Sequence, residues 1–297
     1  MSLGAVLICK EYSEIYENAF RKRGFTPYFL QVLESKSVNE HLLNQTIQAG
    51  SGTKYGAVVI TSSRAANSWV SGIKDVLEGQ PDDSVGNAIA SWNEVPFYVV
   101  GKATETALKE SDALLPAPLQ ILGAEKAGTG EKLARYIAST YGETTNSDEN
   151  IEARPEILYL TGDKNRETLP SILSEAGIKH HKMKVYETES APELPKRLAE
   201  TLYQVQSESP EGLAKNVWLV LFSPSTASYV LGASSSMPPI GPIKELPAFK
   251  LAAIGPTTEE YLKREGHEVA ATSSKPDAES LVEAIYAASQ TLNFEDL

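Results

Sequence analysis

Four short turns that carry hydroxyl residues, two of them with glycine, are the parts of this sequence whose chemistry best suits ligand binding. They are residues 61–64 and 101–104 in the first half of the chain and residues 223–225 and 255–258 in the second. Each turn joins an apolar, β-rich run to a helical stretch, so its serine or threonine stands where a helix N-cap is expected. The first N–H groups of a helix are unpaired and lie at the positive end of its dipole, and together they bind carboxylate or phosphate. The turns therefore predict binding of an anion.

The turns form two matching pairs, which suggests that the chain repeats one binding arrangement. In each half, a turn that contains serine precedes a turn that contains glycine. Gly101 and Gly255 have no Cβ, which lets the backbone approach a ligand closely. A single capped helix start is usually structural, whereas four in a paired arrangement favour a shared binding function. Residues 162–167 form a fifth turn, and its cations Lys164 and Arg166 either pair with the anion or belong to a solvated helix start.

Patterns for other kinds of site do not occur in the sequence. No G-x-G-x-x-G follows a predicted strand, and there is neither a Walker phosphate loop nor a G-x-S-x-G motif. The 4 histidines are scattered, and the adjacent His180 and His181 would point to opposite faces of a strand. We therefore predict no metal and no cofactor. The single cysteine, Cys9, lies in an apolar run and is predicted to be a buried structural thiol.

The acidic composition narrows the range of partners. A net charge of −12 disfavours nucleic acid and anionic membranes, which bind proteins through basic patches. No apolar run approaches the roughly 20 residues of a membrane helix, and no basic leader precedes the first strand-like run, so we expect a cytoplasmic protein. No heptad pattern or long apolar stripe indicates an interface, which favours a monomer whose partner is a small molecule.

The elements that must position the turns alternate between strand and helix. Short runs rich in Val, Ile and Leu predict parallel strands. These runs cover residues 5–10, 26–33, 56–61, 97–100, 156–161, 180–188, 217–223, 250–254 and 268–271. Apolar residues recur between them at spacings of three or four, as in Leu194, Leu198 and Leu202, and predict helices. This order predicts an α/β fold with doubly wound parallel sheets, in which the turns meet at the carboxyl edge.

The length and the polar segments predict the domain organisation. A chain of 297 residues favours two domains, and strand-like connections between them are expected at residues 29–35 and 182–188. Three polar, turn-rich segments, residues 79–96, 142–155 and 232–247, are predicted to be surface loops.

Taken in order, these turns resemble the uroporphyrinogen-III synthase family. The most specific part is Phe-Ser-Pro-Ser at 222–225, followed by Ala-Ile-Gly-Pro-Thr-Thr at 253–258. Residues 99–104, 162–167 and 184–188 complete the set in the expected order. The resemblance begins at the turn after the third predicted strand and extends to the C-terminus, apart from the loops.

The resemblance implies two flavodoxin-like α/β lobes, each with a doubly wound parallel sheet, joined by a two-stranded β linker. Lobe 1 would combine both chain ends, residues 1–31 and 189–297, and lobe 2 would cover residues 38–181. Residues 32–37 and 182–188 would be the linkers between the lobes.

The resemblance also implies a cyclising lyase that converts hydroxymethylbilane, a linear tetrapyrrole polycarboxylate, into uroporphyrinogen III. The linear tetrapyrrole would close into a macrocycle with loss of water and inversion of ring D, without metal or cofactor. The family motif at 184–188 implies that Tyr186 protonates the departing hydroxyl, a role that suits a phenol because it stays protonated at neutral pH. The alternative for Tyr186 is a half-buried linker tyrosine, and the alternative for the protein is a non-catalytic two-lobe binder of an anionic metabolite. The residues expected to bind the substrate are Ser62, Ser63 (where the family often has proline), Arg64, Gly101, Lys102, Thr104, Gly162, Lys164, Arg166, Ser223, Ser225, Gly255, Thr257 and Thr258.

Overall fold

The computed structural model describes residues 3–79, 82–145, 155–164, 166–208, 216–236 and 248–295. The strands are β1 (Ala5–Ile8), β2 (Thr26–Phe29), β3 (Leu33–Ser37), β4 (Tyr55–Ile60), β5 (Phe97–Val99), β6 (Ile121–Leu122), β7 (Glu156–Thr161), β8 (His180–Lys184), β9 (Tyr186–Ser190), β10 (Asn216–Leu221), β11 (Ala248–Ala253) and β12 (Val269–Thr272). The α-helices are α1 (Glu14–Lys22), α2 (Glu40–Ala49), α3 (Ser63–Glu78), α4 (Asp83–Ala90), α5 (Lys102–Lys109), α6 (Gly130–Thr145), α7 (Thr168–Glu175), α8 (Leu194–Glu208), α9 (Pro224–Ser234), α10 (Pro256–Arg264) and α11 (Ala278–Glu295).

The chain divides into two compact units. Unit 1 consists of Met1–Glu34 and Glu189–Leu297, and unit 2 consists of Ser35–Thr188. Each unit is built on a parallel β-sheet that carries helices on both faces. The predicted α/β class with doubly wound parallel sheets is confirmed.

Unit 1 contains a five-stranded sheet in the order β12-β11-β10-β1-β2, with parallel neighbours. Because β1 is buried along its whole length, its alternate side chains belong to two different cores. Leu7 shares one core with Leu198 of α8, and Ile8 shares the other with Leu281 of α11. The helical spacing of apolar residues seen in the sequence is therefore the buried face of each helix.

Unit 2 contains a five-stranded sheet in the order β6-β5-β4-β7-β8, again with parallel neighbours. Val58 of β4 packs in a core with Trp69 of α3, and Val59 packs on the opposite face with Leu133 of α6. The central strand β4 is buried on both faces, as its unbroken apolar run predicts.

The two sheets have the same strand arrangement. Along the sheets, β10, β11 and β12 occupy the places of β4, β5 and β6, while β1 and β2 occupy the places of β7 and β8. The serine turns of the sequence follow β4 and β10, and the glycine turns follow β5 and β11. The matching pairs of turns therefore occupy matching positions at the carboxyl edges of two sheets.

Two short strands carry the chain from one unit to the other. β3 and β9 form a two-stranded antiparallel sheet, and both boundaries between the units fall within these strands. The sequence predicts one continuous strand over 26–33 and another over 180–188, whereas the structure divides each into two. The division in the second occurs at Val185, which separates β8 from β9.

One of the predicted loops is largely helical. Within 79–96 the chain forms α4 and a 3₁₀ turn, Ser91–Glu94. Asp82 caps α4, because its carboxylate accepts hydrogen bonds from the N–H groups of Ser84 and Val85 at 3.0 and 3.1 Å. Burial of Trp92, which is fully inaccessible, anchors the segment to the core. The loop prediction for this segment is therefore wrong.

The other two predicted loops lie partly outside the described residues. Segment 142–155 begins inside α6, which continues to Thr145, and residues 146–154 lie outside the description. Segment 232–247 begins inside α9, which ends at Ser234, and residues 237–247 lie outside it.

Cys9 is 2% exposed and free, which confirms the predicted buried thiol. Burial raises the pKa of this thiol far above its ordinary value. Among the helices of the described ranges, none combines the length and the apolar character needed to cross a membrane.

Candidate active site

The carboxyl edge of the unit 2 sheet brings several of the predicted site residues together. From β4, the strand order runs to β5 and β6 on one side and to β7 and β8 on the other. In doubly wound folds such a switch point is where ligands bind. Ser62 follows β4, Gly162 follows β7, and Tyr186 follows β8 after one intervening residue.

A hydrogen bond joins Ser62 to Tyr186. The Ser62 hydroxyl donates to the Tyr186 phenol oxygen at 3.2 Å. The same Ser62 oxygen caps α3 by accepting a hydrogen bond from the N–H group of Ala65, also at 3.2 Å. The predicted N-cap is thus present, and its hydroxyl has a second partner that the sequence does not reveal.

The ring of Tyr186 lies directly against the backbone of Gly162. A Cβ atom built on Gly162 would lie 2.3 Å from Cζ of Tyr186, closer than any real contact. Gly162 is buried and Tyr186 is half-buried, so the ring covers the glycine. The guanidinium carbon of Arg64, an exposed residue in the first turn of α3, lies 5.9 Å from the centre of the Tyr186 ring. Glycine at 162 therefore provides the surface on which Tyr186 packs.

The backbone beside Tyr186 is held by hydrogen bonds from three elements of unit 2. Val185 donates to the Thr161 carbonyl at 2.8 Å, which continues the β7–β8 pairing by one residue. The Val185 carbonyl accepts hydrogen bonds from the N–H group of Val38 at 3.0 Å and from the hydroxyl of Ser68 at 3.3 Å. The position of the phenol is therefore set by sheet pairing and by α3 rather than by the linker strands alone.

The glycine turns differ from the serine turns in how their helices begin. Ser62 and Ser223 cap α3 and α9 with their side chains. Gly101 and Gly255 precede α5 and α10 without a side-chain cap. Both glycines are in extended conformations, with φ of −169° and 175°, which any residue can adopt. A Cβ at either position would meet no atom within 4 Å among the described residues. Neither the backbone nor the packing of the fold therefore requires glycine there.

Thr104 and Thr258 occupy the same position in the first turns of α5 and α10. They are 5% and 2% exposed, and their N–H groups donate to the carbonyls of Gly101 and Gly255 at 3.1 and 3.2 Å. These two predicted ligand residues are thus buried, and their N–H groups form part of the turns. Thr257, next to Thr258, is exposed.

The remaining predicted residues of unit 2 lie at the same sheet edge. Ser63 is the first residue of α3. Lys102 begins α5 and lies 3.6 Å from a carboxylate oxygen of Glu125, with both side chains more than 75% exposed. Lys164 and Arg166 are exposed in the turn between β7 and α7, and Asn165 between them lies outside the described residues. An exposed ion pair such as Lys102–Glu125 contributes little to stability, so Lys102 remains suited to ligand binding.

The carboxyl edge of the unit 1 sheet contains a cavity of about 400 Å³. The cavity is lined by four predicted residues, Ser223, Gly255, Thr257 and Thr258. Ser225, in the first turn of α9, is half-buried and is not part of this lining.

Sequence reasoning missed four polar residues at the unit 1 edge. Ser273, Ser274 and Lys275 follow β12 and line the same cavity. Lys10 follows β1 at the switch point, and its ammonium lies 4.3 Å from the ring centre of Tyr16. The signal was available, because a Ser-Ser-Lys turn after predicted strand 268–271 follows the same pattern as the other turns.

Comparisons with known proteins agree on one family. The family model described as "Uroporphyrinogen-III synthase HemD" matches residues 14–283. The uroporphyrinogen-III synthase of Saccharomyces cerevisiae is 28% identical over 276 residues, covering 91% of this chain and 90% of the relative. That of Schizosaccharomyces pombe is 26% identical over 272 residues, covering 92% and 91%. The crystal structure of uroporphyrinogen-III synthetase from Helicobacter pylori superposes with a TM-score of 0.52 at 15% identity, covering 97% of this chain and 99% of that one, which is a likeness of fold.

Proposed function

The chain belongs to the uroporphyrinogen-III synthase family of cyclising lyases in heme biosynthesis, and on this premise we propose that it converts hydroxymethylbilane into uroporphyrinogen III with Tyr186 as the acid. The observation that carries the catalytic assignment is the contact of Tyr186 with Ser62 and Gly162 at the switch point of unit 2. Tyrosine is the residue type this step needs, because a phenol retains a proton at neutral pH and can donate it.

The proposed reaction begins with loss of the hydroxyl of hydroxymethylbilane as water. Electron density from the first pyrrole ring breaks the bond between the methylene carbon and the hydroxyl oxygen, and Tyr186 donates its proton so that water leaves. The resulting azafulvene is attacked by the substituted carbon of ring D to give a spiro intermediate, which fragments and recloses with ring D reversed. When ring D becomes aromatic again it loses a proton, which restores the phenol.

Substrate carboxylates would bind at two helix starts that no side chain caps, the turns of Gly101 and Gly255. Backbone N–H groups there attract an anion without adding a formal charge. This mode of binding suits a chain with a net charge of −12. The exposed cations Arg64, Lys164 and Arg166 would pair with further carboxylates in unit 2.

Positioning is the other part of the proposed catalysis. Hydroxymethylbilane also closes without assistance and without inversion. The enzyme must therefore hold the substrate in a conformation in which the spiro-forming attack is faster than direct closure. Ser223, Ser225, Thr257 and Lys275 of unit 1 would serve this purpose as binding residues. The proposed partner is the small-molecule substrate.

The test is to supply freshly made hydroxymethylbilane to the purified protein and to separate the product isomers by chromatography. Wild-type protein should yield uroporphyrinogen III, whereas only the uninverted macrocycle, as in buffer alone, would refute the enzyme. A non-catalytic binder would give that negative result together with tight substrate binding. The comparisons do not favour this alternative.

Tyr186→Phe tests the assignment of the acid. The variant should lower kcat about a hundredfold and change KM little, since general acid catalysis typically contributes about 10²–10⁴-fold. Tyr203→Phe is a matched control, because Tyr203 is 42% exposed on α8 of unit 1. A folded Tyr186→Phe variant with wild-type kcat would remove Tyr186 from the acid role.

A further inference from the structure

We propose that Ser62 is a positioning residue that directs the phenol proton of Tyr186 toward the substrate. The inference rests on the proposed function, because Ser62 acts through the proposed acid. The sequence predicts Ser62 as a helix cap and as a substrate-binding residue but does not connect it with Tyr186, so the inference comes from the three-dimensional contacts of its hydroxyl.

The hydroxyl of Ser62 has one proton, and its hydrogen bonds determine where that proton lies. The N–H group of Ala65 donates to the Ser62 oxygen at 3.2 Å, which uses the oxygen as an acceptor. The Ser62 proton is directed at the Tyr186 oxygen, also at 3.2 Å. A phenol that accepts this bond donates its own proton in another direction. In the proposed reaction, the acceptor of that proton is the departing hydroxyl of the substrate.

The same bond favours the transition state over the ground state. As Tyr186 gives up its proton, negative charge develops on the phenol oxygen that Ser62 contacts. Hydrogen bonds to charged acceptors are about twice as strong as those between neutral groups. An interaction that strengthens in the transition state raises kcat rather than substrate affinity.

Unit 1 shows that a serine can cap a helix without contacting a tyrosine. Ser223 stands at the matching position and caps α9 through the N–H group of Thr226 at 3.1 Å. The second contact of its hydroxyl, at 3.0 Å, is with the side chain of the same Thr226. The two serines thus share the capping role, and the contact with a tyrosine is specific to Ser62.

The packing around Tyr186 keeps the phenol within reach of Ser62. The ring lies against Gly162, and the preceding residue, Val185, is bonded to Ser68 of the same helix that Ser62 caps. Because Ser62 is the N-cap of α3 and Ser68 lies in its second turn, the helix holds the phenol and its hydrogen-bond donor together.

Three variants of Ser62 separate the two roles of its hydroxyl. Ser62→Ala removes the donor and the cap, Ser62→Gly removes the donor while keeping a residue that N-cap positions tolerate, and Ser62→Thr retains a hydroxyl. Asp82→Ala is the matched control, because it removes the side-chain cap of α4 in the same unit and lies outside the proposed site. For each variant, kcat, KM, the pH profile of kcat and the thermal unfolding temperature are measured.

Ser62→Ala and Ser62→Gly should lower kcat about tenfold, leave KM within about twofold, and move the alkaline limb of the kcat profile to higher pH. Ser62→Thr should restore most of the kcat. Asp82→Ala should lower the unfolding temperature and leave kcat, KM and the profile unchanged. In a Tyr186→Phe background, Ser62→Gly should cause no further loss of kcat, because the residue through which it acts is absent.

Suppose that Tyr186→Phe lowers kcat, whereas a folded Ser62→Gly variant keeps the wild-type kcat and pH profile. That result would overturn this inference and leave the proposed function standing. A further loss of kcat in the Tyr186→Phe background would also overturn it, since Ser62 would then act independently of the phenol. If Tyr186→Phe itself retains wild-type kcat, or if wild-type protein yields only the uninverted macrocycle, the proposed function fails instead.

Discussion

Replacing Gly162 with alanine should displace the ring of Tyr186 and so lower kcat strongly while lowering the stability of the fold only a little. In the structure, an added Cβ would lie 2.3 Å from Cζ, 2.5 Å from Cε2 and 2.7 Å from the phenol oxygen of Tyr186. Carbon atoms in contact are about 3.5–4.0 Å apart, so the ring would have to retreat by about 1 Å. Its hydrogen bond with Ser62 is already 3.2 Å long, so a further separation of about 1 Å would break it.

The size of the effect follows from this displacement. A misplacement of about 1 Å can reduce a rate by about a hundredfold, so Gly162→Ala should lower kcat to about the level of Tyr186→Phe. Overpacking a filled site usually destabilises by about 1–3 kcal/mol. The loss of stability should lie near the lower end of that range, because Tyr186 is only half-buried and its ring can turn toward solvent.

The assay is steady-state turnover of hydroxymethylbilane with separation of the product isomers, combined with thermal unfolding. Gly86→Ala is the control: Gly86 lies inside α4, where a Cβ meets no described atom within 4 Å, so kcat should not change. Alanine in a helix interior should also stabilise the fold by about 0.5–1 kcal/mol. A Gly162→Ala variant with wild-type kcat would refute the reasoning. So would a Gly162→Ala/Tyr186→Phe double variant whose fold-loss of kcat equals the product of the losses in the two single variants.

Three further predictions address other parts of the molecule. Gly101→Ala and Gly255→Ala should lower the unfolding temperature only slightly, since their Cβ atoms contact none of the described atoms and alanine is a poorer N-cap than glycine, yet raise KM about tenfold by obstructing the carboxylates; wild-type KM in both would contradict this. Cys9 should react with a thiol reagent at pH 8 only when denaturant unfolds the protein, because the thiol is 2% exposed and burial raises its pKa; rapid labelling of native protein would contradict this. Burial also raises the pKa of Tyr141 to about 12 from 10.0, so the free energy of unfolding should fall as pH rises from 10 to 12 and fall less in Tyr141→Phe; equal slopes for the two proteins would contradict this.

The turns could be predicted from sequence because their determinants are local. A serine after an apolar run caps the next helix because its side-chain oxygen accepts a hydrogen bond from an N–H group in the first turn, and Ser62 and Ser223 do so as expected. Strand positions follow from apolar runs in the same way, and β7 has the predicted bounds. The missed helix α4 shows the limit of this reasoning, because Ile89 is its one buried residue and too little apolar periodicity remains to detect.

Contacts between distant residues could not be predicted from these patterns. Ser62 and Tyr186 are 124 positions apart, and their hydrogen bond depends on β4 and β8 lying on either side of β7. The need for glycine at 162 likewise comes from a tyrosine in another strand. The sequence indicates that both residues belong to a site, but only the sheet order shows that they touch.

The matching of the two sheets supports unit 2 as the unit of the proposed acid. The N–H group of Leu30, after β2, donates to the Ile8 carbonyl at 2.9 Å, just as Val185 donates to Thr161 in unit 2. The next residue in unit 1 is Gln31, which therefore stands where Tyr186 stands in unit 2. A glutamine amide can donate hydrogen bonds but does not act as an acid at neutral pH. Substitutions at the unit 1 edge should therefore act mainly on KM, whereas those that touch the Ser62–Tyr186 pair should act on kcat.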